Sequence, residues 1–222
     1  MRCARRTFDV LVNRWPLAEL QARLDVAAKA HPTSETLADF RADPSLVRAE
    51  TEALAAAARL ITPHGSIAAH FGSRALLIDW LFPSCSYQST VSNKPFKLFF
   101  PASALGRKGI HELVAALSGT DTELLVLGAA REGSVDPLSS IKHRRATLDD
   151  LASASALVIP AWIEHEPRIA LRALASGIPV IASRACGLRP HPLLTEIDAG
   201  DVSGLRGAIE NLARTEPACA VA

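Results

Sequence analysis

From residue 96 onward the apolar positions repeat one phrase: a short hydrophobic strand, a glycine or proline break, and an amphipathic helix that ends on glycine. KLFF at 97–100 reads as a buried strand, and Ile110, Leu113, Val114 and Leu117 then recur at i, i+3, i+4 and i+7 of a helix that Gly119 closes. ELLVL at 123–127 is the next strand. Thr147 with Asp150 three residues on has the spacing of a capping box, opening a short helix through Leu148 and Leu151. Residues 156–159 and 180–182 predict two more buried strands. Between them Pro167 suits a first helical position and Gly177 a left-handed stop. Ser203 is placed to cap a last helix whose Leu205, Ala208, Ile209 and Leu212 share one face. Alternation of this kind implies an α/β fold with a mainly parallel sheet covered on both faces.

The first 95 residues carry a different rhythm. Residues 8–12 predict a strand, Leu17, Leu20 and Leu24 a helix starting near Pro16, and 46–60 an alanine-rich helix behind Ser45. Short strands are expected at 59–62 and 75–79, flanking PHGS. Two or three strands under helices make a thin independent domain, because small layers bury a poor fraction of their surface. The expected organisation is therefore a partial N-terminal segment over 1–82, a linker over 83–95, a Rossmann-like domain over 96–215 and a frayed tail over 216–222. CSYQSTVSN within the linker has polar turn formers and no periodicity.

Composition narrows the class of partner. A chain of 222 residues that is 49% hydrophobic and 21% charged is globular, and a formal charge of +1 gives no global reason to bind nucleic acid or an anionic membrane. Cys3, Cys85, Cys186 and Cys219 contain no close pair, which argues against a zinc site or a secreted disulfide framework and fits a reducing cytoplasm. Arg2, Arg5 and Arg6 resemble the start of a signal peptide, but Asp9, Asn13 and Arg14 break the apolar run that would have to follow. No stretch is long enough to span a bilayer.

Two junctions carry chemistry. GRKG at 106–109 is read as opening a helix directly after a strand, so backbone amides and the helix dipole would face a crevice with Arg107 and Lys108 adding positive charge and Gly109 allowing close approach. A phosphate is the obvious guest, although the same residues also suit a solvated turn. Glu164, His165 and Glu166 lie between a strand's end and a helix's start; a carboxylate there can orient sugar hydroxyls or stabilise positive charge at an anomeric carbon. The plain alternative is a set of first-turn charges favoured by the dipole. The basic run 142–145 could face a lipid phosphate or a nucleotide and otherwise reads as a solvated loop. His64 and His70 could be read as a base in the interdomain cleft but lack a carboxylate at a telling spacing, and Trp162 reads as a ring stacking on a ligand or, more plainly, as a partly buried cleft wall.

LFFPASALGRKGIHELVAAL, ELLVLG, LASASALVIPAWIEHEPRIALRALASGIPVIAS and DVSGLRGAIENLA, in that order, resemble the C-terminal nucleotide-sugar-binding domain of retaining glycosyltransferases of the GT-B fold. AARLITPHGSIAAHF resembles the last strand and helix of that family's N-terminal domain. The resemblance implies that Lys108 and Gly109 grip a donor diphosphate, yet the arginine expected five residues before Lys108 is Ser103. It implies that Glu164 is the first of two acidic residues handling donor sugar and ribose, yet the second position, eight residues later, is Arg172. A cation there only donates, so ribose binding is weakened or rearranged, and Arg172 could take phosphate charge that Ser103 cannot neutralise.

The function implied is transfer of a sugar from a nucleotide diphosphate donor to an unidentified acceptor, with retention, no metal and no cofactor beyond the sugar nucleotide. Glu164 is the catalytic candidate, and Ser103, Arg107, Lys108, Gly109, Glu164, His165 and Arg172 are the donor-binding candidates. The partners implied are a nucleotide sugar, an acceptor, a peripheral membrane contact and a second chain completing the N-terminal domain. Two other classes stay open: a catalytically degenerate scaffold, favoured by Ser103, Arg172 and the short N-terminal half, and a nucleotide-sugar epimerase of the same architecture.

Overall fold

The structure is a computed structural model that describes residues 7–39, 41–84, 95–129, 132 and 136–214. Most of the expected linker, the tail, Arg2, Arg5, Arg6, Cys3, Cys85 and Cys219 lie outside the described residues. In chain order the elements are β1 (Asp9–Leu11), α1 (Leu17–Ala30), α2 (Pro44–Ala56), β2 (Arg59–Thr62), α3 (Gly65–Phe71) and β3 (Ala75–Leu77). Then come β4 (Lys97–Phe100), α4 (Ile110–Leu117), β5 (Glu123–Val126), β6 (His143–Arg145), β7 (Ala156–Ile159), α5 (Arg168–Ala175), β8 (Val180–Ser183), β9 (Leu194–Ile197) and α6 (Val202–Arg214).

Every described strand pair is parallel. The larger sheet has the order β6-β5-β4-β7-β8-β9, so the chain starts in the middle, builds outward one way and then returns to build the other way. This is the doubly wound Rossmann arrangement, and its switch point lies between β4 and β7. Strand alternation sorts the core by face. Leu98, Phe100, Leu124, Val126, Val158 and Ile181 pack with α4 and α6, while Phe99, Leu125, Leu157, Ile159 and Val180 pack with α5. Both faces are dry, which is why these strands read as unbroken apolar runs rather than alternating ones.

The smaller sheet has the order β1-β2-β3. Val10, Val12 and Leu60 face a core shared with Trp15, just before α1, and with Leu20, Leu24, Leu54 and Ile67 of the surrounding helices. The register sets Leu11, Ile61 and Leu76 in one row, and Leu11 and Leu76 on that row are 63% and 45% exposed. Trp162 and Ile163, from the loop after β7, complete the N-terminal core, so the two sheets share packing at the very loop that carries Glu164.

Several boundaries differ from the sequence reading for local reasons. α2 begins at Pro44 because Asp43 accepts the Ser45 amide at 2.7 Å, and it stops at Ala56 because residues 59–62 pair as a strand, which overrides alanine's helical propensity. Asp201, not Ser203, caps α6, accepting the Gly204 amide at 2.9 Å. Pro167 precedes the first residue of α5 instead of occupying it. The run 142–145 is not a loop: His143–Arg145 is the exposed edge strand β6, where charge discourages further pairing. β9 has no sequence counterpart among the expected strands, because a half-exposed LTEI shows too little periodicity. The capping box at Thr147 and Asp150 is present as read, although the helix it opens, Leu148–Ser153, is 3-10.

One contact fixes the switch point. Gly109 sits at φ +78°, and a Cβ there would lie 2.1 Å from the Pro160 carbonyl oxygen, so the loop after β4 can lie against the end of β7 only through glycine. Gly119 has nearly the same φ, +76°, but faces open space. Gly109→Ala is expected to lower unfolding stability by about 3 kcal/mol or more and Gly119→Ala by only about 1 kcal/mol in urea titrations, the excess at Gly109 measuring the backbone contact.

Candidate donor site at the sheet switch point

Ligands of doubly wound sheets sit in the crevice outside the carboxyl ends of the strands where the order reverses. The two loops leaving β4 and β7 supply that crevice here. The first runs from Pro101 through a 3-10 turn at Gly106–Lys108 before α4 begins, so GRKG does not open a helix directly after the strand. The second carries Ala161 to Glu166. The Arg107 carbonyl accepts the amides of Trp162 at 3.0 Å and Ile163 at 3.3 Å, binding the loops together, and the Ser183 hydroxyl donates to the Ala161 carbonyl from the end of β8.

This brings Lys108 against Glu164. The ammonium Nζ lies 2.7 Å from Oε2, with the side chains 19% and 16% exposed. The other carboxylate oxygen accepts the amides of His165 at 2.9 Å and Glu166 at 3.3 Å. Burial pushes the Glu164 pKa up, but the Lys108 charge and the two amides outweigh it and leave the carboxyl below the ordinary range. A half-buried, charge-assisted pair of this kind strongly penalises loss of one partner, since the other charge is left under-solvated.

His64 fixes the backbone beneath. It is fully buried, its Nδ1 accepts the Ile67 amide as the cap of α3, and its protonated Nε2 therefore donates to the carbonyls of Glu164 at 3.0 Å and Ala185 at 3.1 Å. Burial lowers its pKa, as expected of a neutral structural imidazole. Nothing in its spacing announced this role, because its partners are backbone atoms distant in sequence. His165 sits in the groove wall with Nε2 buried and without a hydrogen-bond partner, its pKa pushed down to about 4, chiefly by burial.

The groove itself is a cavity of about 160 Å³. Arg107, Lys108, Glu164 and His165 form its polar side, and Leu20 and Leu24 of α1 with Ile163 form its apolar side. Burial lowers the Arg107 pKa, opposed by Asp39 and Glu164, and the guanidinium remains a cation at neutral pH. The backbone amides contribute less than expected. Those of Lys108 and Gly109 are spent inside the turn on Leu105 and Gly106, and that of Gly106 is held by Glu132 and Thr36. Positive charge in the groove therefore comes from side chains.

Four of the candidate residues thus converge and three do not. Gly109 contacts Pro160, as above. Ser103 lies on the loop after β4 with its backbone against Gly128, where any side chain would collide with it. Arg172 faces the 3-10 helix beside Leu148, Leu151 and Ile178, away from the groove. Trp162 is buried in the N-terminal core and is not among the residues lining the groove, and its Nε1 donates to Glu112 at 3.0 Å. Among the described residues no three His, Cys, Asp or Glu side chains converge to hold a metal ion. No described helix is long and apolar enough to cross a membrane.

No protein-family model and no curated protein sequence matches this chain. Solved structures do. The apo form of the lipopolysaccharide outer core galactosyltransferase WaaB superposes with a TM-score of 0.59 at 16% identity, covering 74% of this chain and 55% of that one. Sucrose-phosphate synthase from Thermosynechococcus elongatus gives 0.58 at 20% identity, covering 85% and 56%. WaaG, a glycosyltransferase involved in lipopolysaccharide biosynthesis, gives 0.53 at 18% identity, covering 82% and 64%. The chain spans between 55% and 64% of the length of these structures. The likeness establishes the fold, a parallel-sheet Rossmann-like architecture of the GT-B kind.

The two neutral histidines make stability depend on pH. Unfolded, His165 titrates near 6.5, whereas folded it does so at about 4, so the unfolded chain binds more protons between these values. Stability is full above pH 6.5 and falls as pH drops toward 4, with Glu164 adding its share only below the ordinary carboxylate range. Chemical denaturation from pH 7.5 to 4.5 is expected to show this decline, and His165→Gln to flatten it. An equally steep decline in the variant would place the titrating group elsewhere.

Proposed function

We propose that this chain binds the diphosphate and sugar of a nucleotide sugar at the switch-point groove and serves glycosyl transfer. The single observation that carries this reading is the Lys108–Glu164 pair at 2.7 Å, set in a groove with Arg107 at the mouth of a Rossmann-like sheet. Lys108 and Arg107 neutralise charge that builds on the departing diphosphate, which is the role a metal ion would otherwise play. Glu164, kept ionised by Lys108, faces the sugar, where it binds hydroxyls and stabilises positive charge at the anomeric carbon; retention of configuration is the expected outcome. His165 offers one hydrogen bond through its unpartnered Nε2. Gly109 permits the loop geometry, and Arg172 and Ser103 contribute to the ribose or phosphate end only after rearrangement, since neither lines the groove. The acceptor is met by the N-terminal side, completed by further chain or by a partner, with transfer proceeding in the cytoplasm.

A cavity of 160 Å³ is below the roughly 300–1,000 Å³ that small-molecule sites offer, so a whole nucleotide sugar enters only when Leu20 and Leu24 of α1 retreat. The same narrowness favours the second reading, a scaffold that keeps the fold without turnover. Calorimetric titration with uridine, guanosine and adenosine diphosphates separates the two. At least one should bind, and Lys108→Ala should weaken it by about 10- to 150-fold, the worth of one charged hydrogen bond. Glu164→Gln should bind the nucleotide nearly normally while losing about 100-fold or more in sugar transfer or donor hydrolysis. Absence of binding to the intact chain, or a Lys108→Ala variant that binds unchanged, overturns the donor-site reading.

A further inference from the structure

Beside the groove, and outside every residue assigned to it, the structure holds a second set of anion-directed donors already filled by the chain's own carboxylate. Glu132 is 7% exposed. One of its oxygens accepts from the Ser34 hydroxyl and lies 3.4 Å from His111 Nε2. The other accepts from the Thr36 hydroxyl and, at 2.6 Å, from the Gly106 amide. His111 Nε2 is buried and makes no hydrogen bond closer than this 3.4 Å approach to the carboxylate. Desolvation raises the Glu132 pKa, but the two hydroxyls, the amide and His111 outweigh it and keep the group ionised.

The cradle gathers groups from both halves of the chain. Its donors come from three separate stretches: Ser34 and Thr36 from the N-terminal half, Gly106 from the loop after β4, and His111 from α4. Gly106 is pressed against the N-terminal stretch so closely that a Cβ would stand 2.6 Å from the Ser34 hydroxyl. His31 adds to the same joint, stacking on His111 at 4.6 Å and reaching Glu112 at 2.6 Å. Hydroxyls, an amide and an imidazole around one anion form the chemistry that also holds phosphoryl oxygens, and the chain places the cations Arg107 and Lys108 immediately after Gly106.

We infer that Glu132 is a resident anion occupying a phosphoryl-oxygen subsite built from Ser34, Thr36, Gly106 and His111, and that a diphosphate entering the groove competes with it for these donors. The inference rests on the reading of the groove as a diphosphate site and extends it across both halves of the chain: the ligand would gain hydroxyl donors from the N-terminal half in exchange for the internal carboxylate. An internal competitor divides the dissociation constant by the fraction of molecules in which the cradle is open, so apparent affinity falls by that fraction.

Inorganic pyrophosphate, titrated calorimetrically into the intact chain, tests this without needing the base or sugar. Glu132→Gln keeps the shape and removes the competing charge, and it should bind pyrophosphate at least about fivefold tighter than the unmodified chain. Glu132→Asp, one methylene shorter, should also bind tighter and guards against a misfolded first variant, with circular dichroism confirming the fold of both. Ser34→Ala in the Glu132→Gln background should give back most of the gain. If neither Glu132 variant binds pyrophosphate tighter, or if Ser34→Ala leaves the gain intact, the subsite is wrong. Lys108→Ala binding pyrophosphate as the unmodified chain does, while Glu132→Gln still binds tighter, would refute the groove and leave the cradle standing, so the two failures read differently.

Discussion

Everything proposed for this chain depends on two loops being held face to face at the switch point. The Arg107 carbonyl takes two amide hydrogens from the opposing loop, and Gly109 lets Pro160 approach to a distance no other residue allows. These are backbone interactions, indifferent to side-chain identity except at the glycine. They convert a topological accident of the doubly wound sheet into a fixed distance between a lysine and a carboxylate. Without them Lys108 and Glu164 would be two exposed charges on neighbouring loops, worth little to stability and unable to shape a ligand.

The larger sheet was legible because its strands are buried on both faces and its helices are short and strongly amphipathic, as with Ile110, Leu113 and Leu117 on α4. Local rules located α5 and α6 to within a residue or two. They failed where a neighbour in space decided the outcome. Asp201 displaced Ser203 as a cap, strand pairing at Arg59 cut α2 short, and β6 and β9 exist because an adjacent strand's edge was waiting. None of these is a property of a sequence window.

The site was legible only in part. Lys108 and Glu164 stood out because each is a charge at a strand-to-helix junction, and the structure joins them. Arg172 and Ser103 were singled out only by the positions they occupy in the family resemblance, and a position in a motif does not say which way a side chain faces. His64 and Glu132 were invisible as partners of the site because their contacts span about a hundred residues of chain and include backbone atoms. Polar joints of this type carry no periodic signal, yet they tie α1 and the following stretch down over the groove and so set its present narrowness.

Where a diphosphate sits is read most directly from a crystal structure of the chain grown with a nucleoside diphosphate that binds in solution. Phosphate oxygens are expected at hydrogen-bond distance from the Lys108 ammonium, with the Glu164 carboxylate on the sugar side and Leu20 and Leu24 drawn back. A diphosphate bound elsewhere, with the Lys108–Glu164 pair intact and α1 unmoved, would contradict the donor-site reading.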